Sequence, residues 1–504
     1  MIGISYTVGN IGYKNILVRT EASIMPGSFY IHITGLGDLA VREARDRLRS
    51  AIHASGFSCP VKQILVNLAP NEIRKEGSIS ELSIAVSILI ADGQLNPENF
   101  EGLLLTGALS LDGTLQSTEG ILGAAIEARR NPNIRGIIVP APDAEKVSFI
   151  PELDIYPIWH LEELHEFHPE TARKEPKADF QAVTDIPAPD FASIEGHEEA
   201  KEALAIAFIG KHHTLMVGQP GMGKTLLARA SEGLLPPLSL DECLELTQLA
   251  SLAGLSEGFV NRAPFRSPHH TSSDTALVGG GSFPRPGEIT LAHKGVLFLD
   301  ELLEFSNQAI QALREPLEEA KITVSRSRKA ITFPADFLLI AAANPCPCGN
   351  FLTPDVPCTC NHTRIERLYR KIAGPFLDRI SIELEISSYG KRKPGSQKPT
   401  SYYRSKIQEA RLRMFHRNGG IENSKIPLEQ VKKWTQAEDK NKSLIEFLAS
   451  ETHLSHRRIA QALRTSLSIA DYYESDVVKP EYIKQAFCYR VFHLIRQKLT
   501  ERAA

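Results

Sequence analysis

The sequence predicts an α/β protein whose central part is a parallel β-sheet with helices on both faces. Three continuous apolar runs, Thr214–Val217, Gly295–Leu299 and Phe337–Ala342, alternate with segments of helical periodicity. Strands that are apolar on both faces are typical of parallel sheets covered by helices. Two polar stretches rich in Pro and Lys, 168–190 and 389–400, flank this part and are predicted to be linkers.

The part before the first linker, residues 1–167, mixes short apolar runs with turn residues and helical patterns. Strands are predicted at Ile31–Thr34, Ile64–Leu68 and Leu103–Thr106. One helix is predicted to begin near Asp38, and another to span Leu82–Ile90. This mixture predicts an α/β or α+β domain.

Two further domains are expected, an α/β core over 191–388 and a helical domain over 401–504. Apolar residues of the last domain recur at helical spacing, first at Ile407, Ala410 and Met414, then at Ile459, Leu463, Leu467 and Ala470.

Composition excludes several classes of protein. Of the 504 residues, 42% are apolar and 23% charged, and the net charge is −3, which excludes a disordered or collagen-like chain. The longest apolar stretch, Leu82–Ala91, is shorter than the roughly 18 residues of a membrane span. Seven cysteines and no secretory signal favour a reducing, cytoplasmic location. A net charge near zero does not decide whether the protein binds nucleic acid.

A glycine-rich loop follows the run Thr214–Val217 and precedes a helix-like segment. It matches the pattern GxxxxGK[ST], whose backbone N–H groups surround phosphates. Lys224 is expected to reach the β- and γ-phosphates of a nucleotide, and Thr225 to bind Mg²⁺. The predicted nucleotide-binding residues are Gly218, Gln219, Pro220, Gly221, Met222, Gly223, Lys224 and Thr225.

Polar side chains also follow the two other apolar runs. Asp300 and Glu301 end one of them, and Asn344 ends the other. An Asp-Glu pair alone is more often a solvated strand end, but a phosphate loop upstream favours a catalytic role. Asp300 is then expected to hold Mg²⁺, Glu301 to orient or deprotonate the attacking water, and Asn344 to hydrogen-bond that water.

The order of these motifs, followed by Gly374–Arg379, resembles that of the AAA+ ATPases. Further segments are similar to the magnesium-chelatase-like ATPases of the ComM (YifB) competence-protein family: Phe265–Thr271, Leu277–Gly281, Pro286–Thr290 and Asn344–Gly349. The resemblance covers essentially the whole chain. It implies an AAA+ core that uses ATP and Mg²⁺, a helical lid, and an N-terminal Lon-protease-like (S5-like) domain.

The resemblance also implies two arginine roles. Arg379 looks like the arginine finger that completes the ATP site of a neighbouring subunit, which implies a ring, expected to be a homohexamer. Arg457, in the lid, looks like the sensor arginine. Structural salt bridges would explain both residues as well. The chain departs from the family in the lid, where Ser466–Asp471 stands for Ala-Arg-Thr-Ile-Ala-Asp.

The N-terminal domain is not expected to be a protease. By resemblance to Lon-type proteases, Ile79 occupies the position of the nucleophilic serine, and Leu122 that of the lysine base. Ser78 and Ser80 are nearby, but without the base neither is activated.

Four of the seven cysteines lie within 15 residues, in a CxC-x9-CxC pattern formed by Cys346, Cys348, Cys358 and Cys360. Four thiolates can form a tetrahedral structural zinc site, although CxC is a tighter spacing than usual. Metal-free thiols and redox pairing are the alternatives.

A β-hairpin is predicted over Lys321–Phe333, because Ile322, Val324, Ile331 and Phe333 alternate with polar residues. Its tip carries Arg326, Arg328 and Lys329. In this branch of AAA+ proteins such a hairpin points into the pore of the ring, where its charges would contact a phosphate backbone. His269 and His270 are further candidates for DNA contact. Solvated or purely structural side chains explain both groups too.

These observations favour an ATP-driven ring motor on DNA. By resemblance, it would be a helicase that promotes branch migration of single-stranded or branched DNA during recombination and natural transformation, alongside other recombination proteins. The alternatives are a chelatase-like protein remodeller and an ATP switch that loads a recombination protein.

Overall fold

A computed structural model of the chain describes residues 2–11, 14–35, 39–70, 78–180, 183, 186–255, 259–281, 285–326, 329–353, 356–387, 397–435, 439–452, 454–491, 495 and 498–499. The chain forms two compact units, one of residues 1–181 and 247–260, the other of residues 182–246 and 261–504. In the described residues, no helix is both long enough and apolar enough to cross a bilayer.

The first unit is an α+β domain. Its strands are β1 (Ile2–Ile11), β2 (Lys14–Met25), β3 (Tyr30–Thr34), β4 (Gln63–Ala69), β5 (Leu103–Leu105), β6 (Ala108–Leu109), β7 (Leu115–Gln116), β8 (Gly136–Pro140) and β9 (Asp154–Ile158). Its helices are α1 (Leu39–Ala54), α2 (Glu81–Ala91), α3 (Ile121–Arg130) and α4 (Ala144–Val147).

Seven strands of this unit, among the described residues, form one mixed sheet in the order β3-β4-β2-β1-β5-β8-β9. Strand β2 is antiparallel to β1 and β4, and the other neighbours are parallel. Helix α2 packs on β1 and β2, and every residue from Glu81 to Ala91 is buried. The predicted strands and both predicted helices are confirmed, although Asp38 lies outside the described residues.

The second unit contains the predicted parallel sheet. Its strands are β10 (Thr214–Gly218), β11 (Phe265–Arg266), β12 (Gly279–Gly280), β13 (Arg285–Pro286), β14 (Val296–Leu299), β15 (Lys321–Arg326), β16 (Lys329–Pro334), β17 (Leu338–Ala343) and β18 (Ile382–Ile386). Five of these strands, within the described part, are parallel in the order β11-β14-β17-β10-β18. Successive side chains of a strand point to opposite faces, and all those of β10, β14 and β17 are buried, so both faces of the sheet are covered.

The helices of the second unit are α5 (Glu198–Gly210), α6 (Lys224–Ala230), α7 (Leu240–Leu252), α8 (Asp274–Val278), α9 (Glu288–Leu291), α10 (Asn307–Ala312), α11 (Arg314–Glu319), α12 (His362–Ile372), α13 (Thr400–Asn418), α14 (Leu428–Thr435), α15 (Asp439–Thr452), α16 (His456–Tyr472) and α17 (Pro480–Cys488). The last turn of α7 belongs to the first unit. The helices predicted around Ile407 and Ile459 are confirmed as α13 and α16, and both pack on α5.

The segments predicted as linkers differ from each other. Within the first, Lys174 Nζ lies 2.7 Å from Asp154 Oδ2, and the Glu175 N–H donates to the Ile155 carbonyl. This segment therefore follows the surface of the first unit as far as these residues. Of the second, residues 389–396 lie outside the described residues. The domain boundaries remain predictions.

Candidate functional site

The polar residues predicted to act together follow strands that are neighbours in the sheet. Gly218 ends β10, Asp300 follows β14 by one residue, and Asn344 follows β17. Strand β17 lies between β14 and β10, and all three are parallel. Their carboxyl ends therefore meet at one edge, which is where α/β sheets bind ligands.

The loop between β10 and α6 has the backbone that a phosphate cradle needs. Gly221 and Gly223 have φ angles of +78° and +84°, and no atom lies within 4 Å of a Cβ built on either residue. Helix α6 begins at Lys224, with Gly223 as its N-terminal cap. Gly218 has no room for a side chain, because an added Cβ would lie 2.1 Å from the carbonyl oxygen of Ile386 on β18.

Lys224 lies inside this loop and is 7% exposed. Its ammonium group donates to the carbonyl oxygens of Gly218 at 2.6 Å and Gln219 at 2.7 Å, and to Asn344 Oδ1 at 3.0 Å. Burial lowers the pKa of Lys224, while the carboxylates of Asp300 and Glu301 act in the opposite direction. The structure thus brings Lys224 and Asn344 together.

The two predicted magnesium ligands also meet. Thr225 Oγ1 donates to Asp300 Oδ2 at 2.7 Å, and Thr225 is exposed. A hydroxyl and a carboxylate oxygen at an open phosphate loop are suitable donors for Mg²⁺, so the residues present fit a nucleotide–magnesium complex. Glu301, next to this pair, is exposed and has a φ angle of +51°, which is rare for a residue with a side chain.

His270 lies next to Glu301. Its Nδ1 is 3.1 Å from Glu301 Oε2, and its ring is tilted by 32° against that of His269, with 4.2 Å between the ring centroids. The sequence carries no signal for this contact, because 31 positions separate the two residues. The role of His269 and His270 in DNA contact stays a prediction.

Arg379 and Arg457 converge on one carboxylate. Both guanidinium groups pair with Glu318 on α11, Arg457 Nη2 at 2.7 Å from Oε1 and Arg379 through Oε2. Burial alone would raise the pKa of Glu318, but the two arginines outweigh it and the pKa is lowered. Within the described residues, neither arginine contacts the phosphate loop of its own chain. Glu318 was missed in the sequence, since it belongs to no motif.

The four clustered cysteines form a compact group. Their sulfur atoms all lie within 4.8 Å of one another, and three of the separations are 3.3, 3.7 and 3.7 Å. Sulfurs bound at 2.3 Å to a tetrahedral zinc ion would be roughly 3.8 Å apart. Disulfide sulfurs would be about 2.05 Å apart. The residues present therefore fit a four-cysteine metal site.

The loop that carries these cysteines also contacts the phosphate loop, which the sequence did not indicate. Gln219 Nε2 donates to Asn350 Oδ1 at 2.9 Å and to Thr353 Oγ1 at 2.5 Å. Gly349 has a φ angle of +83°, and a Cβ there would lie 2.6 Å from Cδ of Pro220.

The predicted hairpin is confirmed as β15 and β16, with paired residues from Lys321 with Pro334 to Arg326 with Lys329. Ile322, Val324 and Phe333 are buried. Arg328 lies outside the described residues, as do the side chains of Arg326 and Lys329. Their contact with DNA stays a prediction.

The positions aligned with a protease site are apolar. Ile79 is 7% exposed, Leu122 is half-buried, and Ser80 is buried. Glu81, directly after Ser80, is 2% exposed and pairs with Arg47. Of the predicted serine neighbourhood, residues 71–77 lie outside the described residues.

Comparison with known proteins assigns the chain to a family. The profile described as magnesium chelatase, subunit ChlI, matches residues 190–393, and two related ChlI profiles match residues 20–143 and 397–490. The chain is 36% identical over 496 residues to the protein YifB of Salmonella typhimurium, with 97% of each chain covered. It is 34% identical over 518 residues to the competence protein ComM of Haemophilus influenzae, with 99% of each chain covered.

A shorter match links the chain to a more distant protein. It is 29% identical over 168 residues to the human DNA helicase MCM8, which covers 30% of this chain and 18% of the helicase. The full-length matches and the three profiles agree with the resemblance in the sequence motifs. The chain therefore belongs to the ComM/YifB family of magnesium-chelatase-like AAA+ proteins.

Proposed function

We propose that this protein is an ATP-driven ring motor that acts on DNA and promotes branch migration during recombination and natural transformation. The observation that carries the proposal is the convergence of Lys224, Thr225, Asp300 and Asn344 at one sheet edge. A family relative named as a competence protein and a partial match to a DNA helicase support the choice of DNA.

Hydrolysis of ATP follows from the chemistry of these side chains. Backbone N–H groups of the glycine-rich loop and the N-terminus of α6 bind the phosphates, and Lys224 exchanges its carbonyl partners for phosphate oxygens. Thr225 and Asp300 would hold Mg²⁺, which would supply positive charge against the phosphate oxygens. Glu301 accepts the proton of the attacking water, and Asn344 orients that water.

A ring is required if Arg379 acts on the ATP site of a neighbouring subunit. Arg379 and Arg457 share Glu318, at 11% and 46% side-chain exposure. An anionic γ-phosphate presented by the next subunit would compete with Glu318 for the guanidinium group of Arg379. This competition would make hydrolysis depend on a subunit contact, as expected of a homohexameric motor.

The DNA contact is assigned to the hairpin tip. Six copies of Arg326, Arg328 and Lys329 around a pore would form a positive collar for a phosphate backbone. Rings that thread polypeptides usually present an aromatic residue at this place. The basic tip therefore favours DNA over the protein-remodelling alternative.

The test of this function is ATP hydrolysis by the purified full-length protein with no DNA, single-stranded DNA, duplex DNA and branched DNA. We expect stimulation that is strongest on branched DNA and falls with added salt, since phosphate contacts release counterions. Glu301→Gln is the inactive control, with a rate at least about 100-fold lower. Charge reversal of Arg326, Arg328 and Lys329 should remove the stimulation but keep basal hydrolysis. Equal hydrolysis with all DNAs would contradict the DNA motor and favour a protein remodeller.

We also propose that Cys346, Cys348, Cys358 and Cys360 hold a structural zinc ion. The support is the clustering of their sulfur atoms, which all lie within 4.8 Å of one another, with three separations of 3.3, 3.7 and 3.7 Å. Metal analysis of untagged protein should find about one zinc ion per chain, and Cys358→Ser should lose it. Protein that contains no zinc after purification without chelators would contradict this assignment.

A further inference from the structure

The segment after β17 touches the nucleotide site at both ends. It starts at Asn344, which accepts a hydrogen bond from Lys224. At its other end, Asn350 and Thr353 accept hydrogen bonds from Gln219 of the phosphate loop. Cys346 and Cys348 lie between these two contacts. The first half of the cysteine cluster thus belongs to a segment, residues 344–353, that contacts the phosphate loop at both ends and is called the strap below.

The strap is also in close packing contact with the loop. Gly349, at φ +83°, lies so near Pro220 that an added Cβ would be 2.6 Å from the proline ring. The Gly349 N–H donates to the Cys346 carbonyl at 3.0 Å, and the Thr353 N–H donates to the Asn350 carbonyl at 3.0 Å. Two turns therefore set the position of the residues that reach Gln219.

The second half of the cluster leads to a helix that contacts the segment after Glu301. Cys358 and Cys360 immediately precede α12, and Lys371 of that helix donates to the Leu303 carbonyl at 2.8 Å, two residues beyond Glu301. Tyr369, also on α12, donates to the Pro345 carbonyl at 2.9 Å, which ties the helix to the start of the strap.

We propose that the cysteine cluster, when it holds zinc, braces the phosphate loop, with Gln219, Asn350 and Thr353 as positioning residues for nucleotide binding. The inference rests on the zinc proposal made above. A metal that joins Cys346 and Cys348 to Cys358 and Cys360 fixes the strap relative to α12. The fixed strap keeps Asn350 and Thr353 within hydrogen-bond distance of Gln219. The phosphate loop is therefore ordered before ATP binds. A preordered loop binds more tightly because less entropy is lost on binding.

The test compares two ways of releasing the loop, one by removing the metal and one by removing the hydrogen bonds. Zinc content and the dissociation constant for fluorescent mant-ADP are measured for the wild type, Cys358→Ser and the double variant Asn350→Ala with Thr353→Val. Thr359→Val is the matched control, because Thr359 is exposed between two of the cysteines. If Cys358→Ser fails to fold, zinc is instead removed from the wild type with a chelator and then added back, and the dissociation constant is measured at each step.

We expect both releases to raise the dissociation constant by about tenfold, the size of effect that two lost hydrogen bonds produce. The double variant should keep its zinc, and Cys358→Ser should lose it. At saturating ATP the maximal rate of the double variant should approach the wild-type rate while KM rises, because the variant loses positioning and not chemistry. Asn350→Ala combined with Thr353→Ser keeps a hydroxyl group at position 353. This variant should bind mant-ADP more tightly than the double variant with Thr353→Val. Thr359→Val should match the wild type in every measurement.

The possible failures are distinguishable. If Cys358→Ser or chelation removes the zinc and mant-ADP still binds with wild-type affinity, the brace is wrong and the zinc site stands. If the double variant binds mant-ADP normally, the positioning role of Asn350 and Thr353 is wrong. A wild type that carries no zinc overturns the zinc proposal and the brace together.

Discussion

Two regions of this protein each bring together cations, carboxylates and hydroxyl groups, and only one of them is suited to bind a ligand. At the edge of the five-stranded sheet, Lys224 pairs with loop carbonyls and Thr225 with Asp300, beside exposed Glu301. At the start of α2, buried Glu81 pairs with Arg47 and accepts the Leu109 N–H at 2.8 Å. The first set has partners that a phosphate can replace, whereas the carboxylate of the second set is buried.

The same contrast holds for the hydroxyl groups. Ser83 on α2 hydrogen-bonds with Ser5 at 2.8 Å and Thr20 at 2.8 Å, and all three residues are buried. Thr225 makes one bond of similar length and remains exposed. Residue type alone therefore does not identify a ligand-binding site. Such a site is identified by side chains that are exposed to solvent and whose hydrogen-bond partners a ligand can replace.

The largest expected effect comes from Arg379→Ala. Without the arginine, the ATP site of the neighbouring subunit loses charge stabilisation, and hydrolysis should fall by about 1000-fold. Mixing inactive Arg379→Ala with inactive Glu301→Gln should restore activity, since some interfaces then combine an intact Glu301 with an intact Arg379. Mixtures that stay inactive under conditions of subunit exchange would contradict the role in a neighbouring site.

The second-largest effect is expected on stability, at the buried carboxylate of Glu81. Arg47→Ala leaves the carboxylate of Glu81 buried without its cation, which should destabilise the first unit by about 2 kcal/mol, less than for a fully buried pair because Arg47 is 35% exposed. Urea unfolding followed by circular dichroism measures this loss. ATP hydrolysis at 25 °C should not change. A fall in hydrolysis without a fall in stability would mean that the Glu81 region has a functional role after all.

A third effect is the pH dependence of the second unit. Burial, aided by neighbouring His213, lowers the pKa of His212 to about 3, and burial lowers that of His213 to about 4. Above pH 6.5 both residues are neutral whether folded or unfolded. Below it the unfolded chain gains protons that the folded chain excludes, so stability falls by up to about 1.4 kcal/mol per pH unit for each histidine.

Urea unfolding at pH 7.5 and pH 5 measures this slope. His212 hydrogen-bonds Ser468 through Nε2 at 2.7 Å, and His212→Gln keeps a group that can bond there. The variant should show a slope smaller by the contribution of one histidine. Wild type and variant with equal slopes would show that His212 is protonated in the folded protein.

The smallest effect is expected at His270. Because His270 holds one oxygen of Glu301, His270→Ala should free the carboxylate and raise hydrolysis without DNA by about threefold. Stimulation by DNA should shrink in proportion. Steady-state rates with and without branched DNA check this. Lower basal hydrolysis in His270→Ala would show instead that the histidine supports Glu301.

Much of the second unit was predictable from the sequence, for a physical reason. A phosphate loop and an apolar strand are each patterns of a few consecutive residues. The residues next to them in the sequence were therefore enough to predict Lys224, Thr225, Asp300 and Asn344. Parallel strands then bring their carboxyl ends to one edge. The family resemblance supplied Arg379 and Arg457, which no local pattern would have singled out.

The parts that were missed depend on contacts between distant segments. Gln219 is 131 positions from Asn350, and Glu318 is 139 positions from Arg457. No periodicity or motif links such residues. The long antiparallel pair β1 and β2 was also missed, because glycines and asparagines interrupt the apolar alternation at Gly3, Gly9 and Asn10.

The most direct test of the DNA motor is the movement of a branch point. A synthetic four-way junction with homologous arms is incubated with the full-length protein, Mg²⁺ and ATP, and the separated duplex products are counted on a native gel. We predict that the wild type resolves the junction into its two duplexes and that Glu301→Gln does not. Unmoved junctions, in a reaction where DNA-stimulated ATP hydrolysis is measured in parallel, would contradict branch migration.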